Sequence, residues 1–414
     1  MLAVLYKISN SLRGSLIFRN FAAVIFFENI KMKIFKVNLL VQILVAIALG
    51  VCCGMFFPDW LGRVFITFNA IFSQFLSFLI PLIILGFVAP AIADIGRGAG
   101  KILLVTALLA YGFTTISGLL SFTVSDALFP RLIHPGSLSE VPEDAALTPY
   151  FTIEMPPLMS VMSALVFAFM MGICMASIKT DALRRGFGEF LDIVTMTIQR
   201  VIIPLLPLYI FGIFLNMTVS EQVATMLSAF ARIILIIFAM SVILLIGQYC
   251  VAAIFVRRNP LKMLWTMLPA YFTALGTQSS AATIPVTLRQ TLKIGVRQEI
   301  AGFVIPLCAT IHMSGSALKI VACAVALMLM QGIPYTAPMF IGFCCMLGIS
   351  IVAAPGVPGG AIMASLGLLS SMLGFSEADQ ALMIALYIAM DSFGTACNVT
   401  GDGSIALIIN KFFK

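Results

Sequence analysis

The sequence predicts an all-α polytopic membrane protein: eight transmembrane helices plus two re-entrant helical hairpins, arranged as inverted repeats. Three observations carry this. Of 414 residues, 61% are hydrophobic and only 10% charged, and the mean hydropathy is +1.11. A soluble domain is about half apolar and about a quarter charged, and no water-soluble fold could hide this much apolar surface. Apolar runs of about 20 residues, the length that crosses a bilayer, recur along the chain. Two further apolar segments are broken in the middle by polar and helix-breaking residues.

Residues 1–31 read as an N-terminal extension, because Ala22 to Phe27 is too short for the apolar core of a signal peptide. Met32-Lys33-Ile34-Phe35-Lys36 looks like a second start ahead of a first helix. Continuous apolar segments follow at 38–57, 66–93, 99–129, 157–178, 190–217, 222–256, 298–331 and 376–410. Segment 260–292 is interrupted at Gly276-Thr277-Gln278-Ser279-Ser280-Ala281-Ala282-Thr283, and segment 338–374 at Ala354-Pro355-Gly356-Val357-Pro358-Gly359-Gly360. A continuous spanning helix would not tolerate the second run. Irregular backbone at membrane depth survives only beside a protein-enclosed cavity, since lipid satisfies no amide or carbonyl. Paired interrupted segments are what a secondary transporter's binding site looks like in sequence, and hairpin plus helix occurs twice, over 260–331 and 338–410.

Charge orients these segments. With a cytoplasmic N-terminus, all of the 24 Lys and Arg residues except Arg63, Arg131, Arg232 and Lys319 fall on the inner side. The loop from 130 to 158 is acidic through Glu140, Glu143, Asp144 and Glu154 and falls outside. The positive-inside rule holds in this frame and fails in the inverse one. Both termini are then cytoplasmic, with the first hairpin entering from inside and the second from outside. The net charge of +7 is this loop bias, and no nucleic-acid partner is expected. The nine cysteines lie almost all in apolar stretches without a Cys-x-x-Cys pair, so neither a zinc site nor a disulfide framework is indicated.

The rare polar residues carry the function. Asp391, Asp402, Lys319 and His312 lie inside apolar segments, where an ionisable group costs several kcal/mol and marks a pathway. Asp391, Thr395, Asn398 and Asp402 stand at i, i+4, i+7 and i+11, one helical face. Two carboxylates, a hydroxyl and a carboxamide in one column suit a ligand with an ammonium group and a hard cation. Polar glue between helices would use Ser or Thr instead.

These residues resemble a known family. Asn398-Val399-Thr400-Gly401-Asp402, Ser279-Ser280 with Thr283-Ile284-Pro285-Val286-Thr287, Pro355-Gly356-Val357-Pro358-Gly359-Gly360, and the interrupted helix at Ile311-His312-Met313-Ser314-Gly315-Ser316 are similar to the dicarboxylate/amino acid:cation symporters, the glutamate transporter family. The resemblance covers about residues 32–414 and implies a homotrimer in the inner membrane working as an elevator. It implies scaffold helices at 32–98 and 130–217, and a transport domain of 99–129 with 218–414. Asp391 resembles the receptor for a substrate α-ammonium and Thr395 the hydroxyl beside it. Asn398, Ser280 and the backbone near Val357 resemble the α-carboxylate clamp, with Ser279, Ser316, Pro358, Gly359 and Gly394 in the same substrate site. Asp402 and Asn398, with carbonyls near Cys308 and His312, resemble one sodium site. Carbonyls near Thr310 and in Ser350, Ile351 and Ala353 resemble another, closed by the second hairpin as an outer gate. Sodium is the implied coupling ion, and no cofactor is implied.

Two departures sharpen the reading. Acidic-substrate members carry an arginine where this chain has Gly394, or else where it has Gln278. With neither guanidinium, a buried side-chain carboxylate has no partner in those places, so a small neutral amino acid such as serine, threonine, alanine or glycine is expected. Gly394 also implies room for a larger side chain. The family's Asn-Met-Asp-Gly-Thr motif here reads His312-Met313-Ser314-Gly315-Ser316. The lost aspartate belongs to an additional sodium site, doubtful here, whose other wall is kept in Tyr111, Thr114 and Thr115. Fewer sodium ions, or protons in part, are expected. Lys319 and His312, seven residues apart and on one face if the helix continues, are candidates to replace the ion lost with that aspartate; Lys319 could instead snorkel to the interface.

Other classes fit less well. An intramembrane aspartyl protease needs carboxylates about 3 Å apart, whereas Asp391 and Asp402 on one helix stand about 16 Å apart. The protein is not expected to be an enzyme. An acidic amino acid or dicarboxylate symporter, or a channel or sensor on the same fold, remain the alternatives.

Overall fold

The computed structural model describes residues 39–96, 101–136, 147–178, 181–221, 223–352 and 359–413. The chain divides into units 1–42 and 43–414, and the packing below is that of the second. Among the described residues every regular element is helical: α1 Leu39–Gly54, α2 Asp59–Gly96, α3 Lys101–Leu128, α4 Val161–Ser177, α5 Ala182–Val219, α6 Val223–Val256, α7 Pro260–Thr277, α8 Ser280–Lys293, α9 Gln298–Ile311, α10 Ser314–Gln331, α11 Ala337–Val352, α12 Gly360–Leu373, α13 Glu377–Ala389 and α14 Asp391–Phe412.

Among the described residues five spans are long and apolar enough to cross a membrane, α2, α3, α5, α6 and α9 with α10; α13 and α14, bent by 62°, add a sixth if taken together. The chain is thus a multi-pass membrane protein. Helices α1 and α4 are apolar but have only 16 and 17 residues. Helix α5 starts earlier than the apolar run beginning at 190. Its first turns carry Arg184, Arg185, Glu189 and Asp192 opposite apolar Phe190 and Val194, and this amphipathic stretch lies against α2 at Gly86. A hydropathy average misses such a face. A π-turn at Ile198–Ile202, ahead of Pro204 and Pro207, joins it to the apolar part.

Both interrupted segments are helix pairs, α7 on α8 and α11 on α12. Gln278, left-handed at φ 53°, ends α7, and the Ser279 side chain accepts from the Ala282 N–H to start α8. The break is therefore two residues wide, narrower than the polar run around it. At the second tip, residues 353–358 lie outside the described residues, and Gly359 has φ 75°. The segment at 376–410 is also broken, at Met390 between α13 and α14.

Helix α14 lies at the centre of one group, packed on α6, α7, α8, α9 and α10. Helix α10 is buried along nearly its whole length, which suits a helix apolar on all sides. Helix α3 lies along it through two short bonds: Ser117 Oγ donates to the Ser314 carbonyl at 2.5 Å and Ser121 Oγ to the Leu318 carbonyl at 2.7 Å. A second group joins α2 to α4 and α5. There the small residues let backbones approach, as van der Waals packing between membrane helices requires. A methyl group on Gly172 would come within 2.6 Å of Ile92 Cβ and 2.9 Å of the Ala89 carbonyl oxygen. Gly172→Leu should therefore overpack the α2–α4 contact and destabilise the protein by about 1–3 kcal/mol. Gly112, which faces open space, should accept Ala without loss; thermal unfolding of the purified variants checks both.

Candidate functional site

Helix α14 begins where both hairpin tips reach it. Gln278 Nε2 donates to Ser392 Oγ at 2.6 Å, and the Gly359 N–H donates to Asp391 Oδ2 at 3.0 Å. Asp391 is the first residue of α14, where free amides and the helix dipole favour a negative charge. Its other oxygen, Oδ1, accepts from Lys319 Nζ at 3.1 Å, with both side chains buried. The ammonium also donates to the Met390 carbonyl at 3.3 Å and lies 3.8 Å over the Tyr387 ring.

Lys319 thus neither snorkels nor stands in for the lost aspartate's ion. The expectation that it shares a face with His312 fails because the chain breaks at His312 and Met313, so α10 starts afresh at Ser314. The room expected beside Gly394 is filled: a Cβ there would stand 2.3 Å from Lys319 Cε and 2.4 Å from Nζ. A cation from α10 occupies the volume that a side chain on α14 would take.

One turn further along α14, Asn398 holds the start of α10. Its Oδ1 accepts from the Gly315 N–H at 2.7 Å, and its Nδ2 donates to Ser316 Oγ at 3.1 Å. Ser316 Oγ in turn accepts from the Tyr387 hydroxyl at 3.0 Å. Gly315 has no room for a side chain, since a Cβ would meet the Gly394 carbonyl oxygen at 2.6 Å. Thr395 and Ser280 are buried.

The second carboxylate also meets a side chain of the break. His312 Nδ1 lies 2.9 Å from Asp402 Oδ1. The other ring nitrogen lies 3.5 Å from Gln248 Nε2, which donates to Ser314 Oγ at 3.0 Å. Gln248 Oε1 and Thr115 Oγ1 are buried without a hydrogen-bond partner. Thr114 Oγ1 accepts from the Met313 N–H at 3.2 Å, and the Tyr111 hydroxyl donates to the Cys345 carbonyl at 3.2 Å.

The remaining candidates are more scattered. The Cys308 carbonyl closes α9 by accepting from the His312 N–H. Thr310 is exposed, and its hydroxyl donates to the Leu307 carbonyl. Ser350 and Ile351 are buried in α11, with Ser350 Oγ donating to the Ala364 carbonyl at 2.7 Å. Val357, Pro358 and Ala353 lie outside the described residues.

Two participants escape a reading of the sequence. Gln248 looks like an ordinary polar residue of α6, and Tyr387 like an aromatic of an apolar run. A glutamine flanked by apolar turns at 240–256 was the available signal for the first; nothing local marked the second.

A family model for sodium:dicarboxylate symporters matches residues 39–412. The chain belongs to the sodium:dicarboxylate symporter family. Its relatives include a serine/threonine transporter, SstT, of Bifidobacterium adolescentis, 26% identical over 390 residues that cover 89% of this chain and 88% of the relative. Another serine/threonine transporter of the same name, from Acinetobacter baylyi, is 25% identical over 400 residues, covering 92% of this chain and 98% of its own. Symporters of this family are transporters and not enzymes, and the resemblance of the motifs stands confirmed at the family level.

Asn398→Ala should strand the buried Gly315 N–H and destabilise the α10–α14 contact by about 1–3 kcal/mol. The shift is read as a fall in thermal unfolding midpoint of the purified symporter.

Proposed function

We propose that the protein is a secondary active symporter that brings a small neutral amino acid into the cell with sodium. The observation that carries the substrate class is the charge inventory at the start of α14: one carboxylate, Asp391, one ammonium, Lys319, and an amide, Gln278, in place of a guanidinium. The pair is neutral, and a solute that leaves it neutral carries no net charge of its own. The serine/threonine transporters among the relatives agree with this.

The sodium reading rests on oxygen donors. Asp402, Asn398 and the Cys308 and His312 carbonyls suit a hard cation, as do the main chain near Thr310 and that of Ser350, Ile351 and Ala353. At the first site sodium would have to displace His312 from Asp402 Oδ1 and Gly315 from Asn398 Oδ1. At the doubtful third site, Ser314 replaces a carboxylate and is bonded to Gln248, so no ion is proposed there. The proposed scaffold is α1, α2, α4 and α5 (32–98 and 130–217) and the proposed transport domain α3 with α6 to α14 (99–129 and 218–414); the packing of α2 with α4 and α5, and of α14 with α6 to α10, supports it. On this reading eight spans and two re-entrant hairpins form an elevator-type homotrimer in the inner membrane, with both termini cytoplasmic.

An acidic amino acid or dicarboxylate substrate is the second reading, favoured by the Lys319 cation in the volume beside Gly394. Uptake of labelled serine, alanine and aspartate into proteoliposomes, with sodium and proton gradients imposed separately, decides between them. Neutral uptake driven by sodium is expected; aspartate uptake alone would overturn the substrate class, and uptake indifferent to sodium would overturn the coupling ion. Asp402→Asn should raise the half-saturating sodium concentration by about tenfold or more through loss of an anionic ligand. His312→Asn, which removes the competing ring, should lower it.

A further inference from the structure

We infer that Lys319 and Asp391 together form a receptor for both ends of a zwitterion: Asp391 takes the solute's α-ammonium, and Lys319, on leaving Asp391, takes its α-carboxylate. This deepens the reading of the substrate as a neutral amino acid and rests on it. It assigns carboxylate recognition to a side chain of α10, outside the residues that the family resemblance would supply.

The surroundings of the ammonium are those of a group that can let go. Among the described residues Asp391 is its charged partner; the Met390 carbonyl at 3.3 Å and the Tyr387 ring face at 3.8 Å are uncharged contacts. Met390 follows the C-terminal end of α13, where exposed carbonyls and the helix dipole favour a cation, and a ring face adds to that. With Asp391 withdrawn, Lys319 keeps both of these contacts and has one donor to offer. Gly394 leaves the stem its space: it stands where any Cβ would overlap Lys319 Cε. A four-carbon stem in a pocket cleared by glycine can swing its charge, as a planar arginine fork fixed on α14 could not.

The anion is placed for exchange as well. Asp391 Oδ2 holds the N–H of Gly359, the residue that opens α12 in the second hairpin, so the ion pair lies against the start of that helix. A zwitterion entering there trades one buried ion pair for two charge-assisted pairs and leaves the net charge unchanged. A buried ion pair is a poor source of stability against apolar residues of the same volume, so the pair needs a function to explain it.

The test is equilibrium binding to the purified full-length protein of serine, of ethanolamine, which lacks the carboxylate, and of 3-hydroxypropanoate, which lacks the ammonium. Lys319→Met should weaken serine by about a hundredfold and strengthen ethanolamine above wild type, because Asp391 is released. Asp391→Asn should do the same for 3-hydroxypropanoate, and Lys319→Arg should keep serine within about tenfold. Wild-type serine affinity in Lys319→Met, or equal losses of serine and ethanolamine, would overturn the inference. If a single variant leaves an uncompensated charge and does not fold, the neutral double variant Lys319→Met with Asp391→Asn decides. Folded protein that has lost serine binding supports the receptor; folded protein that binds serine as the wild type does makes the pair structural only. Should the wild type bind no neutral amino acid, the substrate class itself is wrong and the inference falls with it; wild-type binding with an insensitive Lys319 refutes the inference alone.

Discussion

A carboxylate buried among membrane helices must carry its own cation, and this requirement organises the centre of the protein. Asp391 and Asp402 sit one above the other on α14, and each meets a basic side chain from the strand of chain that includes α10 and the break before it: Lys319 at 3.1 Å and His312 at 2.9 Å. Unpaired, either charge would be strongly disfavoured at this depth. The two contacts therefore fix the register of α10 against α14. With α3 bonded to α10 at Ser314 and Leu318, three helices acquire one alignment.

The helix breaks that create the site also create exposed backbone amides, and the polar side chains answer them one by one. Asn398 receives the Gly315 N–H, Thr114 the Met313 N–H, and Asp391 the Gly359 N–H. In hydrocarbon these amides have no water to turn to. The same residues that are proposed to coordinate solutes are thus engaged in holding the broken backbone.

The sequence made the hairpins legible because Pro, Gly and Ser inside an apolar run have no other reading, and the Asp391-to-Asp402 column because helical spacing holds without interruption through α14. It hid whatever depends on chain breaks or on distant helices. Lys319 was assigned a face by extending α9 through His312, and two non-helical residues, His312 and Met313, were enough to turn it toward Asp391. Gly394 looked like empty space because the side chain that fills it comes from 75 positions earlier. Gln248 was invisible for the same reason, since its partners Ser314 and His312 lie at the break between α9 and α10. The start of α5 was lost because charges on one face dilute an average taken over both.

The buried basic side chains balance the carboxylates of α14. Among the described residues the buried carboxylates are Asp379, Asp391 and Asp402. Asp379 caps the start of α13 by bonding to Ser376, away from the site, so the core at α14 holds two anions and two basic side chains. A solute cation is drawn into a buried site by charge that the protein leaves uncompensated, and Ser314 has already removed one such charge. Asp391 is paired with the Lys319 amine at 3.1 Å. Asp402 instead faces a histidine ring, whose Nδ1 lies 2.9 Å from Oδ1. On the proposed sodium reading, a cation entering beside Asp402 would have to compete with His312 for that oxygen.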